Sequence, residues 1–162
     1  MIYVNARAII ERCNGNITEI VVQTRNRPGD SGRLELPGGQ VNAYESLLDA
    51  VKREVDEETG LEVIEIEGQS TMVDTDNLKG TFTMECVRPF AAYQTLKGPV
   101  DSMGVYFKCK AKGTLKKIGD GTLNAKWIDI NELNLLIHSN PQLFSEIDLA
   151  GMIFYLNEKL KK

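Results

Sequence analysis

Apolar side chains fall at every second position near the start of the chain: Ile2, Val4, Ala6, Ala8 and Ile10 share one face. After a turn at Asn14-Gly15, the segment ITEIVVQT at 17–24 continues in β-favouring residues, so two strands are predicted. RNRPGDSG at 25–32 has loop chemistry, and a short strand from Leu34 to Leu36 runs into Pro37-Gly38-Gly39. The period then changes. Leu47, Leu48, Val51 and Val55 recur at helical spacing and predict a helix over about residues 43–58, opened by an Asn42/Glu45 capping box and stopped by Gly60. Further strands are expected at 61–67, at 81–88 with Phe82, Met84 and Cys86 on one face, at 104–111 with Val105, Phe107 and Cys109 on one face, and at 125–129. Asp129 with Glu132 caps a short helix. Asn140-Pro141 opens a longer one with an apolar stripe of Leu149, Ile153, Leu156 and Leu160, whose basic end KLKK suits the helix dipole. Strands on both sides of a central helix imply an α/β fold, a mixed β-sheet flanked by helices.

Composition narrows the class. A chain of 162 residues fits one domain spanning 1–162. The net charge of -4 argues against a nucleic-acid or anionic-lipid partner. Three cysteines without a CxxC pattern indicate reduced, partly buried thiols, neither a disulfide framework nor a zinc site. With no apolar run long enough to span a membrane and no leader-like N-terminus, the expected location is the cytoplasm.

One segment resists the ordinary reading. In REVDEETGL, Glu54, Glu57 and Glu58 fall within about 100° on a helical wheel, overlapping the apolar stripe, while Asp56 points to the opposite side. Like charges at these spacings, set in a last turn that opposes the helix dipole, cost on the order of 2 kcal/mol before desolvation. Arg53 reaches Glu57 at i+4, but one guanidinium cannot neutralise three carboxylates. A hard divalent cation can, since several carboxylate oxygens are what Mg²⁺ or Mn²⁺ prefers.

Read outward, GGQVNAYESLLDAVKREVDEETGL resembles the Nudix box of the Nudix hydrolase family. That pattern is Gly, five residues, Glu, seven residues, Arg-Glu, an aliphatic residue, any residue, Glu-Glu, any residue, Gly and an aliphatic residue. It is filled here by Gly39, Glu45, Arg53, Glu54, Val55, Glu57, Glu58, Gly60 and Leu61. The resemblance implies a Nudix-type α/β/α sandwich that uses Mg²⁺ (or Mn²⁺) to hydrolyse the diphosphate bond of a nucleoside diphosphate linked to another group. The substrate would be a small-molecule nucleotide: a nucleotide sugar, an ADP-ribose-like compound or a nucleoside triphosphate. By position, Glu54, Glu57 and Glu58 would be metal ligands, with the Gly39 carbonyl a further candidate. Arg53 and Glu45 would support the cluster, and Glu45 retains its local reading as a capping residue. Members of the family are often dimers, which makes a homodimer an expectation. A rival reading is a non-catalytic nucleotide-binding regulator of the same fold.

In many relatives an acid stands a few residues before a tryptophan in a later loop. This chain has Asn124 three before Trp127, with Asp120 the nearest acid, which leaves Glu57 or Glu58 as the candidate base. Arg25 and Arg27 are candidates to meet a phosphate, although solvated turn residues are the commoner role. Tyr93, Phe90 and Trp127 could stack on a base, but such aromatics are more often core, and His138 carries little functional expectation.

Overall fold

The computed structural model describes residues 1–161, so the last residue of the KLKK end, Lys162, lies outside the described residues. Eleven strands and three α-helices follow in chain order: β1 (Tyr3–Asn14), β2 (Ile17–Arg27), β3 (Asp30–Glu35), β4 (Gly38–Gln40), α1 (Leu47–Thr59), β5 (Glu62–Ile66), β6 (Val73–Asp74), β7 (Glu85–Cys86), β8 (Ala91–Gln94), β9 (Ser102–Lys112), β10 (Ile118–Gly119), β11 (Thr122–Asp129), α2 (Ile130–Ser139) and α3 (Glu146–Leu160). Nine of the strands form one mixed sheet, ordered β10-β11-β2-β1-β9-β5, with β3 on β2, β4 on β1 and β8 on β9.

The centre of the sheet is the parallel pair of β1 and β9, in register from Tyr3 with Ser102 to Ile10 with Cys109. Strands in this position are covered on both faces, and alternation gives way to continuous burial. Ala6, Ala8 and Ile10 of β1 are buried as expected, but so are the intervening Arg7 and Ile9. Ala6, Ala8, Ile10, Val21 and Phe107 pack under α1 with Leu48, Val51 and Val55. Ile9, Ile20, Val22 and Tyr106 pack on the opposite face with Leu133, Ile137, Met152 and Tyr155 of α2 and α3. The result is the expected helix, sheet, helix sandwich.

Several elements differ from expectation. The 25–32 segment is a hairpin: β2 runs to Arg27, β3 starts at Asp30, and only Pro28-Gly29 turns. The helix over 43–58 begins later. Tyr44 adopts φ 62, a left-handed conformation that helix cannot pass through, so the start moves to an N-cap at Ser46. Glu45 does reach back to the Asn42 amide at 2.8 Å, so half of the capping box forms in the turn before the helix. The expected strand at 81–88 shrinks to β7, and Phe82 and Met84 are exposed instead of sharing a buried face. Cys13 and Cys86 are exposed and only Cys109 is buried; all three are free thiols. Asn140-Pro141 opens a single 3₁₀ turn, after which α3 starts at Glu146. Its buried face is Asp148, Gly151, Met152, Tyr155 and Leu156, leaving Ile153 exposed. On this face Asp148 meets Arg7 at 2.9 Å across the core. Among the described residues no helix is long and apolar enough to cross a membrane.

Candidate active site

The strand pattern explains how the carboxylates are gathered. β3 and β4 flank a short break at Leu36-Pro37, and Gly38-Gly39 pairs with β1 at Arg7 and Ala6 directly beneath α1. Gly38 takes φ 142, and a Cβ there would lie 2.6 Å from the Ala6 carbonyl oxygen. A Cβ on Gly39 would meet the Glu54 carboxylate, 2.7 Å from its carbon. The glycines let bare backbone approach the helix, which brings the box's two ends together.

Arg53 organises the outer part of the site. Its Nε and Nη2 donate to the two oxygens of Glu45 at 2.7 and 2.9 Å, its Nη1 to Glu54 at 2.6 Å and to Glu57 at 3.3 Å, and Nη2 also to the Gln40 carbonyl. Hydrogen bonding from Arg53 pulls the Glu45 carboxyl down to about 2, so it remains ionised at any physiological pH. Glu45 thus bonds both the Asn42 amide and Arg53.

Glu58 lies in the inner part. It is 2% exposed, and its Oε2 accepts from the Gly38 amide at 2.9 Å and from Gln23 Nε2 at 2.7 Å. Burial pushes its carboxyl up to about 8 against those two hydrogen bonds, with Glu35 and Glu54 adding repulsion. Glu57 departs from the helical-wheel expectation. It sits at the rim with its side chain 43% exposed, because its position falls on the edge of the apolar stripe farthest from the sheet.

The helix's difficult last turn is resolved by the loop beyond. Lys116 and Asp120 donate backbone amides to the carbonyls of Thr59 and Glu57, and the Thr122 hydroxyl donates to that of Glu58. Gly119 is the only residue type that fits there, since a side chain would strike the Glu58 carbonyl. Asp120 is thus brought to the end of α1 by its amide, while its side chain faces solvent.

Arg25 and Arg27 diverge. Arg27 is half exposed with its Nη2 3.8 Å from Glu58 Oε1. Arg25 bonds Asp30 and Glu35, the latter at 2.8 Å, and lines a cleft of about 620 Å³ with Tyr93, Leu96, Val100, Ser145 and Ile147. That size lies within the roughly 300–1,000 Å³ of small-molecule sites. Gln23 and Glu35, both buried and absent from the sequence reading, connect the two regions: Arg25 to Glu35, Glu35 to Gln23 at 3.4 Å, and Gln23 to Glu58. A polar residue in the otherwise apolar run IVVQT was the available signal for Gln23. Phe90 packs edge-on against Phe154, Trp127 lies under Arg12, and His138 bonds its own helix at Asn134, so none of these stacks in the cleft.

A family model described as NUDIX domain matches residues 2–146, most of the chain, with Gly39, Glu45, Arg53 and the α1 acids all inside it. The chain belongs to the Nudix family. Its Nudix box is the helix, glycine and carboxylate arrangement just described. A curated relative from Mycobacterium tuberculosis, named putative 8-oxo-dGTP diphosphatase 2, is 40% identical over 83 residues, 51% of this chain and 56% of the relative. The chain spans about half the length of the curated relatives it matches. Among solved structures, the E. coli ORF135 protein aligns with TM-score 0.66 at 18% identity, covering 99% of this chain and 93% of that one. The NUDIX domain of Shewanella oneidensis NrtR, solved with ADP ribose, aligns with TM-score 0.66 at 16% identity over 99% of this chain and 90% of that one. At these identities the structures establish a shared Nudix fold.

Proposed function

We propose that this chain is a cytoplasmic, metal-dependent pyrophosphohydrolase that cleaves the diphosphate bond of a nucleoside diphosphate linked to another group. The observation that carries the reading is the continuous polar path from the Nudix box to the cleft, Glu58 to Gln23 to Glu35 to Arg25. It links a buried carboxylate of the box to a cavity of small-molecule size.

The donor set suits Mg²⁺ or Mn²⁺. Glu54, Glu57 and Glu58 supply hard oxygens, and the space a Cβ would fill at Gly39 opens the backbone toward Glu54. As the side chains lie, no three acidic, histidine or cysteine groups among the described residues are drawn together for an ion, since Arg53 engages Glu54 and Glu57. A cation held there would supply neutralisation of phosphate oxygens and acidify water.

The chain's own residues do the rest. Arg53 and Glu45 brace Glu54 from one side, and the Gly38 amide and Gln23 brace Glu58 from the other. In its ionised form, which a bound cation would favour, Glu58 has Oε1 left to take a proton from the attacking water, with Glu57 at the open rim as the alternative base. Arg27 stands close enough to Glu58 to meet a phosphate beside it. Arg25, fixed by Glu35 and Asp30, presents a cation at the cleft wall.

The name of the mycobacterial relative favours nucleoside triphosphates, oxidised purines included, as the first substrates to assay. A panel of nucleoside triphosphates, 8-oxo-dGTP, ADP-ribose and nucleotide sugars with Mg²⁺ and Mn²⁺ tests the proposal. Release of pyrophosphate or nucleoside monophosphate from one class, lost in Glu58→Gln, is expected. No hydrolysis of any member, with nucleotide binding retained, would return the protein to the regulator reading.

A further inference from the structure

We propose that Gln23 is a positioning residue for this reaction: it ties down one oxygen of Glu58 so that the other, Oε1, is the one presented to the site. The inference rests on the part given to Glu58 above. Gln23 is fully buried on β2 between two carboxylates. Its Nε2 donates to Glu58 Oε2 at 2.7 Å and to Glu35 Oε1 at 3.4 Å. The Gly38 amide donates to the same Glu58 oxygen at 2.9 Å. Two donors thus converge on Oε2, while Oε1 receives no hydrogen bond among the described residues and has the Arg27 guanidinium 3.8 Å away.

The price of this arrangement is visible in the amide itself. Gln23 Oε1 is buried without a hydrogen-bond partner, an arrangement that ordinarily costs about 1–3 kcal/mol. Turning the amide over would place that oxygen against both carboxylates and leave Glu58 with one donor. The orphaned oxygen is the lesser cost, so the amide's orientation follows from the acids around it. The residue type matters as well. A lysine or arginine here would also hold Glu58, but it would neutralise the charge that a divalent cation or a proton has to find. A neutral donor orients the carboxylate and leaves its charge available. The chain places its cations farther along the same strand, at Arg25 and Arg27.

Two variants of the full chain test this: Gln23→Met, which removes the donor at similar volume, and Gln23→Asn, which keeps the amide but withdraws it by one methylene. Mn²⁺ alone, titrated by electron paramagnetic resonance, should bind about 10-fold more weakly to both variants, the size of effect seen when a group that orients a metal ligand is removed. With whichever nucleotide the unmodified protein hydrolyses, kcat should fall about 10- to 100-fold with KM within about threefold. Circular dichroism melting identifies a variant that merely fails to fold, in which case the other decides. Folded variants whose Mn²⁺ affinity and kcat stay within about twofold, or whose KM alone changes, would overturn the role of Gln23. If Glu58→Gln in the same assay still abolishes turnover, the functional reading survives that result; if Glu58→Gln turns over normally, both fall.

Discussion

The backbone of Gly39 lies directly against the carboxylate of Glu54, so close that a single added methyl carbon would stand 2.7 Å from the carboxylate carbon. The contact joins the first glycine of the Nudix box to the helix that carries its acids. It accounts for glycine by space, since Gly39 is not among the residues with positive φ.

Gly39→Ala should therefore displace Glu54 or push β4 from the helix. Turnover is expected to drop at least about 10-fold, because about 1 Å of misplacement at a reacting centre is enough for a loss of that order or more. Steady-state kinetics beside a melting curve checks it: unchanged kcat would mean that Glu54 does not need its present place.

Glu58 gives a pH prediction with a definite sign. Its folded-state carboxyl is raised to about 8 by burial, above the 4.5 of an unperturbed glutamate. Between those values the folded protein holds a proton that the unfolded chain has released, so stability contributed by this group falls as pH rises through that window and is flat outside it. In EDTA, Glu58→Gln should melt higher than the unmodified protein at pH 8 and at the same temperature at pH 4. Added Mg²⁺ should narrow the difference at pH 8, because a cation favours the ionised carboxylate. Melting curves at the two pH values, with and without Mg²⁺, are sufficient.

Arg53 holds three acids at once, and its fork grips both oxygens of Glu45. Arg53→Lys keeps the charge and loses the paired geometry. It should cost about 1–3 kcal/mol of stability and lower kcat more than about 10-fold. A lysine variant with normal kcat would reduce Arg53 to a source of charge.

Asp148 should matter for stability far more than for chemistry. It is fully buried and accepts from Arg7, the Leu36 amide and Tyr106. Asp148→Ala leaves Arg7 charged and unpaired inside the sandwich, which typically costs about 3–5 kcal/mol. Urea unfolding measures it, and a loss below about 1 kcal/mol would show that water reaches Arg7.

The local order of the chain determined a good deal. Hydrophobic period with local turn and capping residues located the β1 and β2 hairpin, α1 with its stop at Gly60, the last strand and the Asp129 cap, because each is set by neighbours within a few residues. The spacing of Glu54, Glu57 and Glu58 put them toward one side of the helix for the same reason, since a helix converts spacing into direction, while the Nudix box itself was legible as a resemblance carried by Gly39, Glu45, Arg53 and these acids. The wheel erred by one residue, Glu57, which lies at the stripe's edge and stays half exposed. Tertiary structure decided what depends on partners distant in sequence. Gln23 and Glu35 look like ordinary polar interruptions of strands until β2, β3 and α1 close on each other. Asp148 looks like an ordinary helix acid until Arg7 meets it across the sheet, on the buried face of α3. Such pairings depend on chain segments brought together only when the sheet folds, and local patterning carries no record of which segments will meet.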